Sequence, residues 1–167
     1  MSNYIRLQVG NPDDLYFLTC VTRNRAPHFA EIETQRRAQA EWNRCADEAK
    51  GTLIAYVFMP DHHHVVIRQG ELPFSRWVEN MKRRLNYAML QGKGTLWQPR
   101  FWEHRIHDAD DQIRAVEYIH YNPVKHGFVK SPCDYGTSSF HEYVDRGEYP
   151  VDWSAFVEVE SDVRYGE

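Results

Sequence analysis

Long hydrophobic runs are missing from this sequence of 167 residues. No apolar stretch approaches the roughly 20 residues that a membrane-crossing helix needs, which excludes a helical membrane protein. Residues 1–11 lack the charged-then-apolar pattern of an export signal, so a cytoplasmic location is expected. Cysteine is scarce: Cys20, Cys45 and Cys133 are odd in number, widely spaced and form no CxxC pair. That excludes a disulfide framework and points to reduced, mostly buried thiols. No GxxxxGK[ST] loop occurs, so the chain carries no P-loop for nucleoside triphosphates. Internal repeats, low-complexity tracts and Gly/Ser linkers are absent as well. What remains is a globular composition, 42% apolar and 26% charged, at a length that fits one domain able to bury about 70% of its unfolded surface. The expected division is a single domain over residues 1–153 and an acidic tail over 154–167.

Positive charge is in short supply overall, with 20 Lys/Arg against 24 Asp/Glu. The average hides a split. Residues 76–105 carry seven Lys/Arg and two acids, a balance of +5, whereas residues 142–167 carry eight acids and two arginines, a balance of −6. The field that attracts a polyanion is local, because salt screens charges over about 8–10 Å. A net charge of −4 therefore does not exclude a phosphate-rich partner. Taken alone, either run also fits an ordinary solvated face.

Aromatic and β-branched residues predict a strand over 15–22. Residues 34–50 predict a helix with Ala38, Trp42, Cys45, Ala46 and Ala49 on one face and Gly51 as its cap. Two strands over 52–59 and 62–68 form a hairpin punctuated by Pro60-Asp61. The clearest helix spans 74–91, where Phe74, Trp77, Val78, Met81, Leu85 and Ala88 recur at helical spacing. Its other side carries Arg76, Asn80, Arg83 and Tyr87, with Lys82 and Arg84 alongside. Residues 96–106 read as an edge or irregular strand because of Pro99. Asp108 or Asp110 caps a later helix with an apolar arc of Ile113, Val116 and Ile119, and Pro123 should end it near Tyr121. Few long strands with interspersed helices give an α+β fold, helices against an antiparallel sheet.

The densest chemistry is Asp61-His62-His63-His64. On a strand, His62 and His64 share a face while His63 points away. Two imidazoles on one face can bind a divalent cation and leave positions open for a substrate phosphoryl group. By itself such a pair equally fits surface or structural histidines. A second feature is Tyr118-Ile119-His120-Tyr121-Asn122-Pro123, where Tyr118 and Asn122 stand one helical turn apart. Tyr118 falls away from the apolar arc and is therefore expected to reach a cleft. A phenol is a poor nucleophile at its usual pKa of about 10, so attack on a phosphodiester needs a proton acceptor, a metal or a cationic field nearby. Asn122 can offer its carbonyl oxygen as a third metal ligand. Ordinary partial burial of Tyr118 and a helix-capping Asn122 are the plain alternatives.

Together, His62-x-His64 followed by Tyr118-x-x-x-Asn122 resembles the HUH-type single-tyrosine transposases. More closely, the chain is similar to the REP-associated tyrosine transposases, small relatives encoded beside repetitive extragenic palindromes. The likeness runs through residues 17–25, Met59-Pro60, the stretches WQPRFWEH (97–104) and NPVKHG (122–127), Ser139-Phe140-His141 and GEYPVDW (147–153). It departs at His63, where an apolar residue is usual, and at Asp61, where Asn is frequent. The first departure leaves open a register in which His63 faces the cleft.

This resemblance implies a ferredoxin-like antiparallel sheet, helices packed mainly on one face and the histidine pair on a central strand. It implies cleavage and rejoining of single-stranded DNA at palindromic repeat hairpins, with Tyr118 attacking the scissile phosphate to hold a 5′ phosphotyrosine and free a 3′ hydroxyl. His62, His64 and Asn122 would hold Mg²⁺ or Mn²⁺, and no nucleotide cofactor is needed because one phosphodiester is exchanged for another. Arg76, Lys82, Arg83, Arg84, Arg100, Arg105 and Lys125 are candidates for backbone phosphates. Trp102, with Trp97 and Phe101, can stack unpaired bases, although at least one of the three is expected in the core. A monomer is favoured over a dimer that exchanges catalytic helices. The competing class is a hairpin DNA- or RNA-binding module of the same fold without catalysis. A DHH-type phosphoesterase or zinc hydrolase lacks support: the further aspartate motifs are missing, and His104, His107 and Cys133 follow no recognised ligand spacing.

Overall fold

Side-chain alternation along two central strands builds two cores, one on each face of a single sheet. The computed structural model describes residues 10–154 and 165–167. Strand β1 (Leu15–Val21), helix α1 (Ile32–Ala49), strands β2 (Thr52–Phe58) and β3 (His62–Arg68), helix α2 (Phe74–Leu90) and strand β4 (Trp102–Ile106) follow in βαββαβ order. All three strand pairings are antiparallel and the sheet order is β2-β3-β1-β4. This is the ferredoxin-like arrangement. Helices α3 (Ala109–Lys125) and α4 (Phe140–Asp145) follow β4.

Leu18 and Cys20 of β1 and Val65 and Ile67 of β3 point to α1 and α2, where Trp42, Cys45, Trp77, Met81 and Leu85 close the first core. Phe17 and Val66 point the other way, to Ala115, Val116 and Ile119 of α3 and Tyr143 of α4. The two crossover helices thus share one face, and α3 with α4 covers the other. The helices divide more evenly than a one-sided expectation, because both faces of β1 and β3 are apolar. Cys20 and Cys45 are free and buried. Burial pushes their thiols up to about 12 and about 11, so neither is a reactive thiolate.

Several boundaries differ from the sequence expectations for physical reasons. Lys50, not Gly51, takes the left-handed cap of α1, at φ 50°. Gly51 is required by crowding instead, since a Cβ there would lie 2.5 Å from the Arg68 carbonyl oxygen. β4 begins only at Trp102, after an isolated bridge between Thr22 and Trp97. Asp108 caps α3 by accepting the Asp111 N–H at 2.8 Å. Pro123 does not end α3. The missing N–H falls in its last turns, and the helix continues until Gly127, at φ +75°, turns the chain. Ile113 is exposed, and the buried arc is Ala115, Val116, Tyr118 and Ile119. The expected acidic tail falls largely on residues 155–164, outside the described residues, whereas Tyr165 is buried against the sheet. No helix among the described residues is long and apolar enough to cross a membrane.

Candidate active site

Alternation in β3 gives its three histidines two fates. His63 enters the α1/α2 core among Phe29, Phe58 and Trp97, and Trp42 Nε1 donates to its Nδ1 at 3.4 Å. Burial pushes it well below the usual imidazole range. It is a core residue, and the register that would place it in the cleft does not occur. His62 and His64 emerge on the α3 face, both buried.

Each of these two imidazoles is oriented through its Nδ1. His62 Nδ1 lies 2.6 Å from Asp61 Oδ1, and Arg25 bonds the other Asp61 oxygen at 3.2 Å. The His62 N–H, assisted by Arg25, draws Asp61 down to about 2. On β1, Thr19 donates its single hydroxyl proton to the Tyr165 carbonyl at 2.6 Å, so its oxygen accepts from His64 Nδ1 at 2.7 Å. Both rings therefore turn Nε2 toward one point. This is how ligating histidines are usually held, one nitrogen fixed by a neighbour and the other presented.

At that point Asn122 Oδ1 stands 3.1 Å from His62 Nε2. Glu167 Oε1 stands 3.2 Å from His62 Nε2 and 2.5 Å from His64 Nε2, and it accepts from Asn122 Nδ2 at 2.8 Å. His126 Nε2 is 3.2 Å from both Glu167 oxygens, and Lys125 Nζ donates to Oε2. Burial disfavours the Glu167 carboxylate, but His126, His62 and His64 around it hold it well below the usual carboxylate range. Burial likewise works against a charged His62, yet the carboxylates of Asp61 and Glu167 raise it. Burial dominates at His64 and lowers it to about 4. A neutral His64 whose Nδ1 carries the proton aims a lone pair at a carboxylate oxygen. Imidazole nitrogen, amide oxygen and carboxylate oxygen thus converge as acceptors, a donor set that fits a divalent cation. His62, His126 and Glu167 bring ligand atoms within 4.8 Å of one another.

Tyr118 lies beside this point and is buried, not in an open cleft as its place off the apolar arc suggested. Its ring stacks on Tyr165 at 4.1 Å and meets His64 edge-on at 5.5 Å. Lys125 Nζ donates to its hydroxyl at 3.0 Å. Because α3 passes through Pro123, Tyr118, Asn122 and Lys125 follow at i, i+4 and i+7 on one face.

The basic candidates separate into groups. Lys125, expected among the DNA backbone contacts, belongs to the Tyr118 cluster. Arg84 bonds Glu48 at 2.6 and 2.7 Å and joins α2 to α1. Arg76 pairs with Glu79 and Arg105 with Asp14. Lys82 and Arg83 line an open groove of ≈ 580 Å³ with Asn86, Tyr87 and Phe101. Arg100 is exposed at the groove's end, where Lys82 Nζ caps its carbonyl at 3.3 Å. Trp97 is in the core, while Trp102 is partly exposed opposite Thr19. Thr19, His126 and Glu167 are site neighbours that sequence reasoning missed. The β1–β3 register could have indicated Thr19, and the run Asn122–His126 could have indicated His126 had α3 been extended one turn.

The family described as Transposase IS200 like matches residues 14–122. A REP-associated tyrosine transposase of Escherichia coli K12 is 37% identical over 162 residues, covering 94% of this chain and 93% of that protein. A Haemophilus influenzae relative named for the same family is 32% identical over 167 residues, covering 92% and 93%. A solved structure described as a REP-associated tyrosine transposase bound to a REP hairpin superposes with a TM-score of 0.76 at 34% identity, covering 93% of this chain and 92% of that one. With the likeness sustained across both the sheet and α3, the chain belongs to the IS200-like transposases, among the REP-associated tyrosine transposases.

Proposed function

We propose that this transposase cleaves and rejoins single-stranded DNA at palindromic repeat hairpins through Tyr118. The observation that carries this reading is that the Tyr118 ring, from α3, packs edge-on against His64 of β3 at 5.5 Å, while Lys125 joins its hydroxyl to the Glu167 carboxylate that faces the Nε2 atoms of His62 and His64. The Tyr118 oxygen bonds to phosphorus, the 5′ phosphate stays on the tyrosine and the 3′ oxygen leaves. Rejoining reverses the exchange and needs no ATP.

His62, His64 and Asn122 would hold Mg²⁺ or Mn²⁺, with the Glu167 carboxylate within reach of the same position. Such a cation neutralises charge on the phosphate as phosphorus is attacked. Asp61 and Thr19 fix the imidazole tautomers. The groove beside α2, with Lys82, Arg83 and Arg100, supplies backbone-phosphate contacts, and Trp102 supplies a stacking surface of about 1–3 kcal/mol per base. The hairpin-bound state of the relative in the solved structure supports the DNA class. Because Tyr118 and the histidine pair meet within one chain, a monomer suffices for the chemistry.

The test is a labelled hairpin oligonucleotide with a 5′ single-stranded extension, incubated with protein and Mn²⁺ or Mg²⁺ and resolved under denaturing conditions. A covalent adduct and a released 3′-hydroxyl strand are expected, both absent from Tyr118→Phe. A gel shift without any adduct would replace catalysis with the binding-module reading. Cleavage that survives Tyr118→Phe would replace the tyrosine with a water nucleophile.

A further inference from the structure

We infer that Lys125 is a catalytic residue: its ammonium holds the Tyr118 oxygen and neutralises the charge that oxygen carries while its bond to phosphorus forms and breaks. The inference rests on Tyr118 being the nucleophile, and it gives Lys125 a task different from binding the DNA backbone.

Two contacts place the ammonium between the nucleophile and an anion. Lys125 Nζ donates to Tyr118 Oη at 3.0 Å and to Glu167 Oε2 at 2.5 Å, and it lies 4.9 Å from the centre of the Tyr118 ring. The Glu167 carboxylate is itself surrounded by His62, His64, Asn122 and His126. Its Oε2 atom, which takes the Lys125 ammonium, marks where an anionic phosphate oxygen can sit, on the side away from the converging imidazole lone pairs. Lys125 therefore bridges the reacting oxygen and the anion position, and does so from a largely buried stem, 18% exposed. A lysine serving only the DNA backbone would point to solvent along the groove, as the exposed basic side chains of α2 do.

In cleavage the Tyr118 O–P bond forms and the P–O3′ bond breaks. The phenolic proton passes to solvent and the released 3′ oxygen takes one from solvent. In rejoining, the 3′ oxygen attacks, the O–P bond to Tyr118 breaks and the oxygen departs as a phenolate. Both directions pass through one transition state, in which the Tyr118 oxygen is only partly bonded to phosphorus and carries partial negative charge, 3.0 Å from the same ammonium. A fixed charge aimed at an atom where charge develops is worth about 10²–10³ in rate at a water-poor site.

The test is single-turnover cleavage of the hairpin oligonucleotide, with hairpin affinity measured in parallel, for Lys125→Ala and the near-isosteric Lys125→Met. The cleavage rate constant should fall about 10²–10³-fold in both, with a far smaller change in affinity. Rejoining, measured from the isolated phosphotyrosine adduct and a 3′-hydroxyl strand, should slow by the same factor, leaving the cleavage–rejoining equilibrium unchanged. Methylammonium should restore part of the Lys125→Ala rate where tetramethylammonium at equal ionic strength does not, because only the former can donate to the phenolic oxygen. Lys125→Arg should retain more activity than Lys125→Met. Wild-type rates in the variants, or losses of rate and affinity in proportion without rescue, would overturn the inference and return Lys125 to the DNA backbone. Those outcomes leave the nucleophile untouched, whereas an adduct formed by Tyr118→Phe would remove the premise itself.

Discussion

On the α1/α2 side of the sheet, His63 lies among aromatic rings, and its Nε2 has no partner among the described residues. On the α3 side, His62 and His64 have both ring nitrogens engaged, one anchored by Asp61 or Thr19 and the other facing Asn122 or Glu167. The residue type and the strand are the same. What differs is which face the pleat assigns and whether polar partners wait there. A buried imidazole acquires a role when the neighbouring elements supply acceptors on one side and a reactive group on the other.

The strongest way to break this contrast is to remove a histidine from each face. His64→Ala is expected to lower the cleavage rate on the order of 10³-fold, the scale for losing charge stabilisation at a reacting centre. His63→Leu should leave cleavage near wild type in the same assay. Equal losses in the two variants would show that the triplet acts as one unit.

A smaller effect is expected one layer out. Asp61→Ala or Thr19→Val should cost about 10–100-fold in metal affinity or activity, since each frees one imidazole to change tautomer. Metal titration followed by calorimetry checks this, and an unchanged affinity would mean that packing alone orients the rings.

Stability against pH sharpens the comparison further. Burial depresses His63, and it lowers His120 to about 3. The folded protein therefore keeps both rings neutral below pH 6.5 while the unfolded chain protonates. Their contribution is present above pH 6.5 and is lost as pH falls toward the folded values. Each adds a slope of up to about 1.4 kcal/mol per pH unit. Urea unfolding between pH 7 and 5 should show this slope, and His63→Leu should flatten it. The substitution removes an unpartnered nitrogen but leaves the buried Trp42 N–H without its acceptor, so stability at pH 7 should fall by about 1–3 kcal/mol at most.

The smallest contrast lies among the arginines of α2. Arg83→Ala should weaken hairpin binding and reduce the salt slope by about one counterion. Arg84→Ala should leave the salt slope unchanged, because its guanidinium is already bound to Glu48. Filter binding across a salt series distinguishes the two.

The ferredoxin-like order of the sheet came from the family resemblance. The strands and helices of an α+β fold were legible because their signals are local: alternation in β1 and β3, helical periodicity in α2, and a proline-marked turn between β2 and β3. The histidine pair and the Tyr118/Asn122 pair were legible for the same reason. The contact between Lys125 and Tyr118 was not legible because Pro123 was taken as a full stop. Pro123 costs α3 one backbone hydrogen bond without ending it, and Gly127 is the actual terminator. The pairing of Arg84 with Glu48 was not legible because charge in a sequence does not reveal a partner 36 residues away. Glu167 carries no local signal at all, since its place depends on tertiary packing.

The run His-His-His-Val-Val-Ile has one further consequence. Displacing β3 by a single place exchanges histidine for histidine and valine for valine at most positions, so the strand's own pattern hardly penalises the error. Fidelity must come from its surroundings. The two-residue connection Pro60-Asp61 is closed by the Met59 N–H donating to the His62 carbonyl at 2.9 Å, and seven paired positions lock β3 to β1. The shortness of that loop works as a ruler: one glycine inserted between Pro60 and Asp61 should turn two imidazoles into the apolar side and leave one facing Tyr118, silencing the enzyme without altering any residue that touches DNA.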